Sequence, residues 1–283
     1  MNKILTCLLL FSISTIKAEI YLIGGTKINI PEPKGYTVLT KDMDAAYRFS
    51  KSMVDLQNEL LAYYIVDTEV ALAKTGEMPS MDRYFLLKVN NALKNSKVSL
   101  SDFNSVKKMI RTQNEEIFKS LEEDIQNLMK NTSDGINKEF DVDIAMKVSK
   151  MVPLDVHYET ESAMSYSMYI NLGVSAGGTS EELVIAASAT FIHVSGKILF
   201  LYSYGAKEDL EWTRTAAKTW AEDSMKANVS KSISKPNTVY KQNSKLVTNS
   251  GYDWERLMNK SIIGVVGGLL ILLFLFFKKK KRD

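Results

Sequence analysis

The sequence predicts an α+β domain, mainly an antiparallel sheet flanked by helices, followed by one C-terminal transmembrane helix. Stretches that alternate apolar and polar residues, the period of a half-buried strand, recur between Phe140 and Tyr204. Stretches with apolar residues every three or four positions precede and follow them. An uncharged apolar run, Ile262 to Phe277, then ends in Lys278-Lys279-Lys280-Lys281-Arg282.

In chain order, Ile28 to Leu39 reads as extended, with Pro31 and Pro33 confining its first part to an edge or a loop. Asp44 to Leu56 spaces Ala46, Phe49, Met53 and Leu56 at helical intervals. Leu60 to Val66 and Arg83 to Val89 are apolar runs of strand length, and Gly76 and Pro79 bend the chain between them. The strongest helical pattern runs from Ser101 to Lys130 through Phe103, Val106, Ile110, Ile117, Leu121, Ile125 and Leu128. Ser99 and Asp102 have capping-box spacing at its start, and Gly135 is its expected stop. Phe140, Val142, Ile144, Met146 and Val148 then alternate with polar residues, as do Tyr166, Met168, Ile170 and Leu172. Gly177-Gly178 leads into a strand from Leu183 to Val194, which Ser195-Gly196 turns into Ile198 to Tyr204 as a hairpin. The last helix, from near Glu208 to Lys226, carries acidic residues at its start and Lys226 at its end, matching the helix dipole. Leu210, Thr213, Ala217, Trp220 and Ala221 form its buried face.

The two ends set the organisation. Met1-Asn2-Lys3, the apolar Ile4 to Ile13 and a region ending at Ala18 read as a secretory signal peptide over 1–18. Cys7 suggests a lipoprotein, yet Ile4-Leu5-Thr6 is a poor acylation box and most of the apolar segment follows the cysteine. A single exported domain over 19–228 follows, then a flexible basic stalk over 229–260, rich in Ser, Asn, Lys and Thr. The transmembrane helix is expected over 261–277 and a basic cytoplasmic tail over 278–283. Ile262 to Phe277 spans roughly 24 Å as a helix, short but sufficient with Lys260 snorkelling to the headgroups. Cations flank the span on both sides, so the signal peptide decides the orientation: domain outside the bacterial cytoplasmic membrane, C-terminus inside. The expected partners are the bilayer and another envelope protein. Gly264 and Gly268 have small-xxx-small spacing, which lets two membrane helices approach closely, although glycines are common in membrane helices; a homodimer through this face is the expectation they raise.

Charge sharpens the picture. Lys3 and Lys17 belong to the leader, six cations against Asp253 and Glu255 to the stalk, and five cations against Asp283 to the tail. A chain of net +3 therefore holds a folded domain of net −7. An acidic domain without a basic face is a poor binder of nucleic acid. Cys7 is the only cysteine, so the exported part has no disulfide, thiol nucleophile or cysteine metal ligand and must be held by its core.

Several local sequences, Ile30-Pro31-Glu32-Pro33-Lys34-Gly35-Tyr36, Ser101-Asp102-Phe103, and Gly196-Lys197-Ile198-Leu199-Phe200-Leu201-Tyr202 running into Leu210-Glu211-Trp212-Thr213-Arg214 and Trp220, point to a known group. In these the chain resembles bacterial envelope proteins with a PsbP-like or DcrB-like domain, over residues 28 to 228. The resemblance implies an α-β-α sandwich and a role in binding or assembly. The C-terminal anchor and long stalk depart from the small soluble or lipidated members.

For catalysis the sequence offers little. Only His157 and His193 are present, and neither stands in a nucleophile-elbow or zinc-protease frame. Ser195, two residues after His193, is better explained by the Ser195-Gly196 turn. No phosphate-binding glycine motif precedes a helix. If Asp155 to Glu161 is extended, Asp155, His157, Glu159 and Glu161 share a face and are candidate ligands for a divalent cation, or else a solvated acidic strand face. Tyr202, Tyr204, Trp212 and Trp220 read as packing residues rather than a ligand cage. No cofactor is implied. The sequence thus leads to a non-enzymatic binding or scaffold protein, with a metal-assisted hydrolase built on the acidic strand as the alternative.

Overall fold

The computed structural model describes residues 18–52, 55–112, 121–229 and 265. Strands β1 (Ala18–Ile23) and β2 (Thr26–Pro31) form a hairpin by themselves. A sheet of seven strands follows: β3 (Tyr36–Val38), β4 (Asn58–Val66), β5 (Tyr84–Asn90), β6 (Ile144–Glu159), β7 (Ala163–Ala176), β8 (Thr179–Val194) and β9 (Lys197–Ala206). Their spatial order is β3-β4-β5-β9-β8-β7-β6, and every neighbouring pair is antiparallel. The helices are α1 (Asp44–Ser52), α2 (Val70–Lys74), α3 (Leu100–Thr112), α4 (Glu122–Phe140) and α5 (Leu210–Ala227). The architecture is α+β, a large antiparallel sheet between two layers.

Alternation along the strands explains the layers. Tyr166, Met168 and Ile170 of β7, Ile185, Ala187 and Phe191 of β8, and Phe200, Tyr202 and Tyr204 of β9 point to one face and share an apolar cluster with Phe103 of α3, Met129 of α4 and Phe49 of α1. The intervening residues point to the other face. There Ile192, Leu199, Leu201, Phe85 and Leu87 meet Trp220 and Ala221 of α5 and Ile28 and Ile30 of β2. Trp220 also ties this layer together by a hydrogen bond, its indole N–H donating to the Pro31 carbonyl at 2.8 Å.

The sheet's two edges are unequal. β3 is short, whereas β6 is long and carries Pro153, Lys147, Lys150 and three shifts of register against β7. Proline, charge and bulges are devices that keep an exposed edge from pairing with another chain.

The structure redraws several expected boundaries. Gly135 does not stop a helix: α4 runs through it to Phe140 and ends at Asp141, whose φ of 51° is left-handed. A Cβ at Gly135 would stand 2.7 Å from the Ser52 carbonyl oxygen, so glycine is there to let α1 approach α4. Phe140 and Val142 precede β6 rather than opening it, because the helix outcompetes the local alternation. α1 ends at Ser52, and Leu56, expected on its buried face, is 74% exposed. β1 has no counterpart in the sequence reading. Among the described residues no helix is long and apolar enough to cross a membrane. The signal peptide except Ala18, the stalk after Val229, the tail and the expected transmembrane helix with Gly264 and Gly268 lie outside the described residues, apart from Val265.

Candidate functional site

The acidic strand shows where each expected ligand goes. β6 is extended through Asp155, His157 and Glu159, while Glu161 sits in the bend before β7. Between Val156 and Tyr158 the pairing with β7 shifts by one residue. A regular strand would put His157 and Glu159 on one face; the extra residue puts them on opposite ones. Glu159 turns toward α3, where it pairs with Arg111 and lies 3.4 Å from the Lys107 ammonium. Burial raises its carboxyl pKa, but Arg111 and Lys107 outweigh this and hold it below the ordinary value. Glu161 offers Lys107 its backbone carbonyl at 3.2 Å, and Asp155 is exposed. Among the described residues no three His, Cys, Asp or Glu side chains are grouped to hold a metal.

His157 faces α5 and joins a buried polar row that no spacing in the sequence announces. Its Nε2 lies 3.0 Å from Ser165 Oγ and its Nδ1 3.1 Å from Ser167 Oγ. Ser165 meets Thr190 across the strand pair at 2.8 Å, and Ser167 meets Ser188 at 2.9 Å. Ser188 donates to Thr213 of α5, and Ser203 donates to the Thr213 carbonyl. Small hydroxylated residues let α5 sit close to the sheet while satisfying one another. Burial, and then the neighbouring Arg214 guanidinium, push the imidazole pKa down to about 4, with Glu211 opposing. His157 is therefore neutral at pH 7, and both ring nitrogens face hydroxyls. The other histidine is structural as well: His193 Nε2 lies 2.8 Å from the Val98 carbonyl oxygen, and its ring stacks on Phe103.

A cleft opens on the same layer. Its cavity of about 130 Å³ lies between α5 and the loop before β3, lined by Pro33, Tyr36, Phe85, Trp212 and Trp220, with Lys34 and Asp223 at the rim. Phe85 is the hub, with Tyr36, Trp212 and Trp220 edge-on to it at 4.7, 5.5 and 5.3 Å between ring centres. Arg83 stacks over Trp212 at 4.9 Å and pairs with Asp209. Gly205 makes that pairing possible: a Cβ there would stand 2.6 Å from Asp209 Cβ. Burial pushes the Tyr36 phenol up to about 12, so it stays protonated. The ring contacts and the Arg83–Asp209 pair hold these side chains against one another. A sequence reading that makes both tryptophans packing residues holds for Trp220, 2% exposed. Trp212 is half-buried, with one face in the cleft. A larger concavity of about 440 Å³ opens near β4, lined in part by Glu19, Lys41, Tyr47 and Lys51.

No protein-family model and no curated protein matches the chain. Among solved structures, it is similar to the solution structure of cyanobacterial PsbP (CyanoP) from Synechocystis sp. PCC 6803. The identity is 11% and the TM-score 0.30, over 75% of this chain and 93% of that one.

Proposed function

We propose that this chain is a non-enzymatic binding or scaffold protein of the bacterial envelope, held on the outer face of the cytoplasmic membrane by residues 261–277. In this reading it takes an apolar side chain of a partner protein into the Trp212 cleft. The carrying observation is the cleft itself, where the half-buried Tyr36 and Trp212 pack edge-on to the buried Phe85, with Trp220 behind and Lys34 and Asp223 beside. Rigid aromatic surface with a polar rim is the composition of interface hot spots. The hydrolase alternative requires a ring nitrogen of His157 free for a metal, whereas both face serine hydroxyls. A PsbP-like or DcrB-like relationship agrees with binding or assembly.

Crosslinking in intact membranes followed by purification tests this reading. The expected result is one abundant partner, lost with Trp212→Ala and kept with Lys218→Ala on another side of α5. Recovery of the partner undiminished by Trp212→Ala would remove the cleft from the interface, and recovery of no stoichiometric partner would remove the scaffold reading.

A further inference from the structure

The helix-covered face of the sheet carries a continuous run of rings. Tyr63 stacks on Tyr84 at 5.5 Å and Tyr84 on Tyr204 at 4.7 Å, and the run continues through Tyr202 and Phe200 to Phe191 and Tyr166. A phenol buried this deeply needs an acceptor. Tyr63 donates to Met81 Sδ at 3.6 Å, a weak partner. Tyr204 donates at 2.7 Å to the backbone carbonyl of Val265, which lies 61 positions further along the chain. Val265 is helical, 0% exposed and part of the same apolar cluster as the rings. It is also the fourth residue of the apolar run Ile262 to Phe277, within the span read as a transmembrane helix. Tyr166, at the far end of the ring run, has a buried hydroxyl with no partner among the described residues.

We infer that this aromatic face is a seat for the chain's own C-terminal apolar segment, which occupies the seat in water and leaves it on insertion into a bilayer. The segment cannot be in both places, because Val265 on the seat is enclosed by the domain. The chain is long enough for either: 35 residues separate Val229 from Val265, up to about 120 Å when extended. That length suffices to reach from the end of α5 to the opposite face of the sheet. The seat shields an apolar run that is otherwise exposed after export and before insertion. The face suits an uncharged run, since its rings and aliphatic side chains are interrupted by Lys88, which lies over Tyr202 and is neutralised by Asp55.

The exchange rests on the anchor reading, and the test separates the two. In the full chain, p-azidophenylalanine is installed in place of Tyr204, keeping the ring, and photolysed in detergent-free buffer and in vesicles of phosphatidylethanolamine and phosphatidylglycerol. Flotation of the vesicles reports insertion independently. The expected result is an intramolecular crosslink to a peptide within 261–277 in buffer that falls about tenfold in floated vesicles. A folded chain with no such crosslink in buffer, a crosslinked dimer in its place, or a crosslink that persists in floated chains overturns the exchange while leaving the anchor standing. Crosslinking in a chain that never floats overturns both the exchange and the anchor. Val265→Lys provides a second measurement: it should uncover the face and raise binding of an apolar dye while the thermal transition remains cooperative. Unchanged dye binding overturns the seat.

Discussion

An imidazole between two serine hydroxyls, beneath a helix that carries Arg214, is held neutral, and this makes stability depend on pH. His157 titrates at about 4 in the fold against about 6.5 in the unfolded chain. Between these values the unfolded chain binds more protons, so stability rises with pH; the contribution is complete above about 6.5 and is lost as pH falls through about 4. Melting curves of the wild type and His157→Gln should diverge in slope over that window by at most about 1.4 kcal/mol per pH unit. Parallel curves would mean that the ring is not shielded. A buried ion pair gives a second test. Lys88 and Asp55, 3% and 5% exposed, meet at 3.1 Å, and Asp55 also accepts the backbone N–H groups of Gln57 and Asn58. Lys88→Met alone should cost about 3–5 kcal/mol in denaturant unfolding, because it strands a buried carboxylate, and adding Asp55→Asn should restore much of it. A double variant no more stable than the single one would refute this account. Neither feature was legible in the sequence. Lys88 interrupts an apolar strand without visible cause, since its partner lies 33 positions earlier, and the serines that enclose His157 come from strands that only the tertiary fold brings beside it.

Elements whose signal is local were legible, and those defined by a neighbour were not. Ser99 and Asp102 form the capping box that their spacing announces, and Ser195 and Gly196 both take the positive φ of a tight hairpin turn. The last helix buries Thr213, Ala217, Trp220 and Ala221, four of the five residues assigned to its inner face. β1 and β2 were available from Gly24-Gly25 between two apolar stretches, a hairpin signal hidden because the leader was read as reaching almost to it. The bulge at His157 had no local signal, and it overturns a face assignment made from strict alternation. Gly135 is the instructive case, because glycine after a helical pattern normally means a stop. Here it means contact, and its substitution separates the two roles. Gly135→Ala gains about 1 kcal/mol of helix propensity, yet its methyl group would press on the Ser52 carbonyl across the α1–α4 contact. The melting temperature should fall, while Asp134→Ala on the exposed side of α4 should leave it nearly unchanged. A rise with Gly135→Ala would show that α1 yields without cost.

At the scale of the whole molecule, one side chain fastens the end of the last helix to the N-terminal hairpin. Asn228 accepts the Asn29 backbone N–H at 2.9 Å and donates to the Asn29 carbonyl at 2.6 Å and the Ser224 carbonyl at 2.7 Å. It closes the last turn of α5 and fastens that turn to β2, 199 positions earlier. Beyond Val229 the composition turns polar and basic, with Lys231 and Lys241 as the first sites for a trypsin-like protease, because Pro236 blocks cleavage after Lys235. Backbone held in a helix resists cleavage, whereas polar linkers are its preferred sites. Trypsin added to intact spheroplasts should therefore release a soluble fragment ending at Lys231 or Lys241, identified by its mass, and leave the apolar run in the membrane. Asn228→Ala should free the last turn, moving the first cut back to Lys226 and weakening the hold of α5 on the hairpin by about 1–3 kcal/mol. Three outcomes have separate meanings. A domain untouched until the spheroplasts are lysed reverses the proposed orientation. Release of the whole chain without any cut removes the membrane anchor. First cuts inside α5 of the wild type contradict the hold that Asn228 gives the last turn, because they require that turn to open before Lys231 is cut.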